Sequence, residues 1–550
     1  MFKFQKYFGK KKTVQTCPLP GANQVEMRSG GFGWEVNDWV TLDRFLVLGT
    51  EGGTFYVAEQ ELTLQSAQAV QRCLQTDGVR VVQRIVEISQ AGRAPKNDPA
   101  LFALAMCAKL SDELTRAAAY QALPLVARTG THLFHFAEYC KAFGGLGGNG
   151  FKRALGRWYI NKDASALALQ AIKYQQRDGW SHRDLLRLAH VKAPSADHQA
   201  IFQWIVKGWP ADAQPGLAGA EKLRLIHAFE LAKRTEKVAD LVRLIADQRL
   251  PHEAVPTEFK QHAAVWEALL ASMPPGALLR NLNKLTAVGL LSNTSAATAR
   301  VREVLGDAKA LERARVHPMA VLLALKTYQA GRGFRGKLTW TPVGRIVDAL
   351  DEAFYLAFRA VTPTARRLCL ALDVSGSMGA AVSSTKFLSC KEATGALALV
   401  TANVEPSYEM VAFTSGGRGC VTFGQAYGWS TGISPVSITP RMRLDSVIQK
   451  LAKLPMGGTD CALPMRWAAK TRTPVDCFVI YTDNESWAGD VHVDQALRDY
   501  RQRMGINAKL VSVALSGDRF SVANPDDAGQ LDVVGFDTAT PNVISDFITG

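Results

Sequence analysis

The chain has 550 residues, of which 47% are hydrophobic and 21% charged, so it is too long for one ordinary core and has the balance of a water-soluble protein of two or more domains. No apolar run is long enough to span a bilayer, and nine scattered cysteines without a CxxC pair argue against a disulfide framework or a cysteine zinc site and for reduced thiols in the cytoplasm. The net charge of +14 is uneven: residues 1–362 hold 47 Lys+Arg against 32 Asp+Glu, whereas 363–550 hold 17 against 18, which points to a polyanion, most simply nucleic acid, as partner of the first part, with a soluble basic enzyme as the plain alternative.

The N-terminus, MFKFQKYFGKKK, is basic, but no apolar core follows it, so it is not a secretory signal. Residues 1–16 are expected to be a disordered leader. From about Ala67 to about Tyr355 the chain reads as helix after helix. DPALFALAMCAKL, ALALQAIKYQQRDGW, EKLRLIHAFELAKR and HPMAVLLALKTYQA carry apolar residues at three- and four-residue spacing. Breakers such as RTGTH, GWPADAQPG and MPPG separate them. No strict repeat is present. Serial helices over this length predict a curved helical-repeat array, whose extended surface suits a polymer ligand.

Three stretches of this helical part invite a chemical reading. GGLGGNG contains GxGxxG at Gly145, Gly147 and Gly150, but a helical pattern precedes it where a dinucleotide fold needs a strand, and no GK[ST] follows; it reads as a connector. His132, His135 and Glu138 have a helical spacing that could hold a metal, although ordinary helix polars explain them more simply. In IKYQQRDGWSHRDLLRLAHVK, Lys173 and Arg177 are four apart and predict one helix face. Ser181 with Asp184 predicts a capping box that starts the next helix, on which Arg183, Arg187 and His190 share a side. Two helices joined by a tight turn would then present a basic patch suited to phosphates. A solvated helix face explains the same charges equally well.

After Pro363 the pattern changes. RLCLALD, YEMVAFT, DCFVIYTD, AKLVSVAL and LDVVGF read as strands, and CKEATGALALVTANV, RLDSVIQKLAKL and CALPMRWAAKT as helices between them. This alternation predicts a largely parallel sheet covered on both faces, with ligands bound beyond the carboxyl ends of its strands. Asp373 ends LCLAL and Asp483 ends CFVIYT, which puts both acids at one rim.

At that rim DVSGSM supplies Asp373, Ser375 and Ser377, GGTDCALP supplies Thr459 and TDNE supplies Asp483. Two carboxylates and three hydroxyls, with no imidazole or thiolate, suit Mg²⁺ or Mn²⁺ with retained waters and one position left for an outside carboxylate. A hydrolase elbow needs Gly where Ser375 stands, and His492 is the only histidine after Pro363. A phosphatase loop would want a second acid at position 375. The pattern resembles the von Willebrand factor A domain and its metal-ion-dependent adhesion site. That resemblance implies metal contacts from Asp373, Ser375, Ser377, Thr459 and Asp483 in a binding module without turnover.

EGGTFYVAEQEL, ALALQAIKYQQRDGWSHRDLLRLAHVK, GKLTW, ALDVSGSM and GGTDCALPM…TDNE occur in the order of the Ro/TROVE family, and the chain resembles it from about Pro18 to the C-terminus. The resemblance implies a multidomain fold: a ring of α-helical HEAT-like repeats over 17–362 and a Rossmann-like α/β von Willebrand factor A domain over 363–550. It implies a non-catalytic, cytoplasmic scaffold of a ribonucleoprotein in RNA quality control. Small noncoding, Y-like RNA would bind an outer face, where Lys173, Arg177 and His190 match contact positions, and single-stranded ends of misfolded RNA would enter the hole. It also implies an exoribonuclease partner such as polynucleotide phosphorylase, no membrane association and a monomer apart from RNA. A metal-dependent protein-adhesion module, kept soluble by basic helices, is the reading from another class. A metal-dependent hydrolase lacks a general base.

Overall fold

The computed structural model describes residues 12–27, 30–35, 37–49, 62–92, 96–208, 220–333, 337–382, 386–416, 419–426, 429–482, 486–515, 520–534 and 540–549. The chain divides into two units: one takes in the N-terminal segment to Glu61, residues 317–323 and everything from Ala357; the other takes in 62–316 and 324–356. This differs from the division expected at residues 16 and 362. The described residues of the N-terminal segment belong with the C-terminal α/β part: Gln15, β2 and Arg44 all find their partners there.

The segment begins as a strap. Gln15, 1% exposed, has a side chain that meets complementary groups on every side: its amide nitrogen donates to Asp460 Oδ1 (2.7 Å) and the Val491 carbonyl (2.9 Å), and its amide oxygen accepts from the Ser486 hydroxyl (2.8 Å) and the Gly489 N–H (3.2 Å). Its backbone N–H donates to the Gly489 carbonyl at 2.9 Å. Residues 12–16, expected to be part of a disordered leader, are therefore a fixed piece of this unit. Two strands, β1 (Gln24–Glu26) and β2 (Phe32–Glu35), follow as an antiparallel pair. Helix α1 (Asp38–Leu48) is capped by the Asn37 side chain and stopped by the left-handed Gly49. Arg44 of α1 forms a buried ion pair with Asp532 at 2.8 Å.

The helical unit runs α2 (Gln68–Ala91), α3 (Asp98–Lys109), α4 (Glu113–Val126), α5 (Gly130–Ala142), α6 (Asn149–Ile160), α7 (Ala164–Lys173), a small hairpin of β3 (Gln176–Arg177) and β4 (Trp180–Ser181), α8 (His182–Ala189) and α9 (Ala196–Lys207). Asp112, Thr129, Asp163, Ser181 and Ser195 cap the helices that they precede through side-chain oxygens. Helices α2, α4, α6 and α8 pack in succession, as do α3, α5 and α7, with α3 also against α2 and α4. Such i to i+2 packing is that of a helical-repeat array. After it come α10 (Ala220–Arg234), α11 (Val238–Gln248), α12 (Ala263–Leu270), α13 (Pro275–Ala287), α14 (Ala296–Gly306) and α15 (Ala308–Arg313), each against the next. Helix α16 (Pro318–Gln329) is cut by the division between the units, and α17 (Gly344–Leu356) packs on α14 and α15.

A histidine sits in the core of this array. His182, 3% exposed, lies among Phe134, Trp158 and Tyr159, and its Nδ1 meets the Tyr159 hydroxyl at 2.9 Å. Burial lowers its pKa to about 4. An unfolded histidine protonates near 6.5, so the folded state binds this proton more weakly. The contribution is fully present above pH 6.5 and is lost as pH falls from there through 4. Between pH 7.5 and 4.5, His182 alone should cost the folded protein about 2–3 kcal/mol. Urea unfolding across that range, with His182→Gln showing a flatter pH dependence than the native chain, is the check.

The α/β part is built from β5 (Leu368–Leu372), α18 (Cys390–Val404), β6 (Tyr408–Thr414), β7 (Val421–Ala426), β8 (Trp429–Pro435), α19 (Leu444–Ala452), α20 (Leu463–Thr471), β9 (Cys477–Thr482), α21 (Val493–Met504), β10 (Lys509–Ala514), β11 (Phe520–Ser521), β12 (Gln530–Val534) and α22 (Thr540–Thr549). Seven strands form one sheet in the order β12-β10-β9-β5-β6-β8-β7. The five runs read as strands in the sequence are its parallel members, and β8 and β7 add an antiparallel edge. Strands β5 and β9 are buried throughout, as expected of a sheet covered on both faces. A second, three-stranded sheet joins β11 to β2 of the N-terminal strap.

Candidate functional site

Strand β5 lies between β6 and β9, and Asp373 follows it directly, with its N–H bonded to the Tyr481 carbonyl of β9 at 3.0 Å. One carboxylate oxygen of this 1% exposed acid accepts the Ser375 N–H (2.8 Å), and the other accepts the Thr482 hydroxyl (3.1 Å). These bonds fix the turn that follows. Ser375 and Ser377 emerge from it towards solvent with their hydroxyl oxygens 2.9 Å apart. The two serine hydroxyls thus meet on this turn.

Thr459 arrives on a loop that crosses the same end of the sheet. Met456 bridges Thr414 at the end of β6, and Ser415 donates to the Pro455 carbonyl. Beyond, the Thr459 carbonyl accepts from Trp487 (3.1 Å) and Ala488 (3.2 Å), past the end of β9. A loop fixed at β6 on one side and after β9 on the other passes over β5 between them. Gly457 is required there, since a Cβ would lie 2.6 Å from the Thr414 carbonyl carbon. Asp483 lies outside the described residues. Asp373, Ser375, Ser377 and Thr459 offer one carboxylate and three hydroxyls, all hard oxygen. This set fits a small divalent cation that keeps part of its water shell. Among the described residues no group of three or more His, Cys, Asp or Glu is placed to hold a metal, so a softer ligand set has no counterpart there.

The next residue escaped the sequence reading. Asp460 is fully buried; burial raises its pKa to about 6, opposed by the Arg466 guanidinium and by the amide of Gln15. Through it, Gln15 links the Thr459 loop to residues 486–491. A glutamine 445 positions away carries no sequence signal for such a role.

The basic stretch is arranged differently from expectation. Helix α7 ends at Lys173, and Arg177 stands on β3, so the two do not share a helix face. The reason is the Asp178-Gly179 turn: both residues have positive φ (52° and 78°), the geometry of a two-residue hairpin whose twist suits its strands. His135 holds Asp178 by Nδ1 and reaches Asp98 at 3.3 Å with Nε2, while Glu138 accepts the Trp180 indole N–H at 2.7 Å. His132 is mostly buried, which lowers its pKa to about 4. His135 and Glu138 therefore dock the hairpin, and the three side chains do not converge on a metal. The capping box of Ser181 and Asp184 is formed as expected. Arg183 and Arg187 are exposed one turn apart, and exposed His190 ends α8 in the left-handed conformation (φ 50°). Arg177 is exposed beside Asp178, and Lys173 is half-buried with its Nζ 3.1 Å from Glu253. The glycines of GGLGGNG connect α5 to α6, with Gly150 already inside α6.

Charge follows the structural division too. The helical unit carries 39 Lys+Arg against 25 Asp+Glu, and the other unit carries 25 of each. The whole net charge is helical. No helix among the described residues is long and apolar enough to cross a membrane.

The TROVE domain family matches residues 25–215 and 243–327, and the Ro60 vWA domain family matches residues 367–548. The chain is 43% identical to the RNA-binding protein RO60 of Deinococcus radiodurans over 531 residues, 96% of each chain. It is 34% identical to the RNA-binding protein RO60 of Caenorhabditis elegans over 599 residues, 96% of this chain and 90% of that one. The crystal structure of the Deinococcus radiodurans RO (RSR) protein matches with a TM-score of 0.75 at 42% identity, over 94% of this chain and 100% of the other.

Proposed function

The chain belongs to the Ro family of TROVE-domain proteins, and on that premise we propose that it is an RNA-binding scaffold whose helical unit carries the affinity and whose α/β rim holds a metal. The observation that carries this reading is the confinement of all net positive charge to the helical unit, with Lys173, Arg177, Arg183, Arg187 and His190 on α7, the hairpin and α8. Phosphates meet cations there, and their condensed counterions are released. The RNA is a small noncoding, Y-like species on this face, with single-stranded ends of misfolded RNAs taken elsewhere on the helical unit. The setting is RNA quality control in the cytoplasm, beside an exoribonuclease such as polynucleotide phosphorylase, with the protein otherwise monomeric.

Asp373, Ser375, Ser377, Thr459 and Asp483 would hold Mg²⁺, or Mn²⁺ in its place, and the ion would supply a coordination position for an outside carboxylate. Within the protein, Asp373 fixes the serine turn and the 455–459 crossing fixes Thr459. The role is binding without turnover. His492, the imidazole of this part of the chain, is engaged by the N-terminal strap through Nε2 to the Cys17 carbonyl (2.7 Å).

Asp373→Ala should abolish Mg²⁺ and Mn²⁺ binding in calorimetry. It should leave the affinity for a structured small RNA, and the salt dependence of that affinity, within about twofold of the native chain, because the cations that neutralise phosphate lie on the helical unit. Absence of Mg²⁺ binding by the native chain refutes the metal reading. Collapse of RNA binding in the variant refutes the division of labour.

A further inference from the structure

Lys173 is not the edge of the basic face. The short 3-10 turn His252–Ala254 packs on α7, and a second one, Thr257–Gln261, packs on α12, which in turn meets α13. Glu253 on the first turn bonds Lys173 with one oxygen and His252 Nδ1 with the other, each at 3.1 Å. That single carboxylate sits within a crowd of cations. Lys173, Lys260 and Arg280 all press on His252, and Lys284 presses on Lys260. Arg280 and Lys284 are four apart on α13 and share its face. Lys284 has its hydrogen bond from Nζ to the neutral amide of Gln261 (3.2 Å), and among the described residues neither Lys260 nor Arg280 is in an ion pair.

Four half-buried or exposed cations around one acid repel one another, and burial makes that repulsion harder for solvent to screen. The Lys260 ammonium is held below its ordinary pKa by burial, which Glu253 opposes and Lys284 reinforces. An arrangement of this kind is stabilised by an anion from outside. We propose that Lys260, Arg280 and Lys284 form a phosphate-binding cluster for the backbone of the structured RNA that α7 and α8 contact, and that Glu253 is its built-in competitor. In the free protein Glu253 occupies Lys173; when RNA binds, phosphate takes Lys173 over and Glu253 is left facing like charge. The inference rests on the RNA-binding reading. RNA, and not a small anion, is the ligand because the cluster is continuous with Lys173 and lies in the unit that holds the whole net charge.

The test is filter binding of a structured small RNA to the full-length protein between 50 and 200 mM salt. A variant with Lys260, Arg280 and Lys284 all changed to Gln should bind at least tenfold more weakly and lose roughly two to three from the slope of log affinity against log salt, at about 0.9 per phosphate contact. Glu253→Gln, isosteric and outside the core, should bind about threefold more tightly, since it removes a like charge from the phosphate path. Thermal melts of both variants confirm folding. Native affinity and slope in the three-site variant, or weaker binding by Glu253→Gln, overturns the proposal. Lys173→Ala separates the two readings. If it loses affinity while the three-site variant does not, the cluster alone is refuted. If the three-site variant loses affinity while Lys173→Ala does not, the α7–α8 assignment and the exchange of Lys173 from Glu253 to phosphate both fail, and only phosphate binding by Lys260, Arg280 and Lys284 stands.

Discussion

Gly31→Ala should strip the N-terminal strap from the α/β unit. A Cβ on Gly31 would lie 2.1 Å from the Ser486 carbonyl oxygen and 3.0 Å from both the Ser486 carbonyl carbon and the Trp487 Cα. All three are backbone atoms, which cannot swing aside as the end of a side chain can. Relief requires the strap and the loop after β9 to separate, and that breaks the bonds of Gln15 to Ser486, Gly489 and Asp460. The cost should be about 3 kcal/mol or more. For a unit of this size it corresponds to roughly 6–12 °C in the melting temperature. Gly276→Ala is the control, because nothing lies within 4 Å of its Cβ, and it should melt within a degree or two of the native chain. Calorimetric melting of both variants decides; equal transitions would mean that the close approach of strap and loop does not exist in solution.

Changing Lys173, Arg177, Arg183 and Arg187 together to Ala should lower affinity for a structured small RNA on the order of a hundredfold at moderate salt, given the strength of charge-assisted bonds to phosphate. The slope of log affinity against log salt should fall by about three to four, near 0.9 for each contact removed. A short single strand should lose much less, because the two kinds of RNA are assigned to different surfaces. Arg177, Arg183 and Arg187 are exposed and Lys173 is half-buried, so the fold should survive. Gel shifts with both RNAs measure the difference, and equal losses would refute the assignment to two surfaces.

The elements that carry their own periodicity could be read directly. Strands β5 and β9 are continuous apolar runs because both faces of the sheet are covered there, and the helices repeat at three and four. The edge hairpin of β7 and β8 could not be read in this way: VTFGQA and WSTGISP mix glycine, serine and threonine with single apolar residues, as an edge can. The β3–β4 hairpin had a signal, Asp178-Gly179, that the four-residue spacing of Lys173 and Arg177 outweighed. DVSGSM was legible because oxygen ligands at alternate positions in one turn are a local pattern. Gln15 and Asp460 were not, since their pairing depends on which distant loops the fold brings together. Glu253, Lys260, Arg280 and Lys284 are ordinary surface charges in sequence, and only the packing of the two 3-10 turns makes them neighbours of Lys173.

The strap also has a consequence in time. Gln15 and Ser486 are 471 positions apart, so the first part of this unit leaves the ribosome long before its partner exists. At roughly 5–20 residues per second the interval is on the order of 20–90 s. Throughout it, β1 and β2 form at most a two-stranded ribbon, which is marginally stable in water by itself. The helical unit, synthesised in between, can fold as it emerges, while the α/β unit must stay incomplete until Ser486 and its neighbours have been made. A chain that stops before Ser486 is therefore left with β1 and β2 as an unpartnered ribbon.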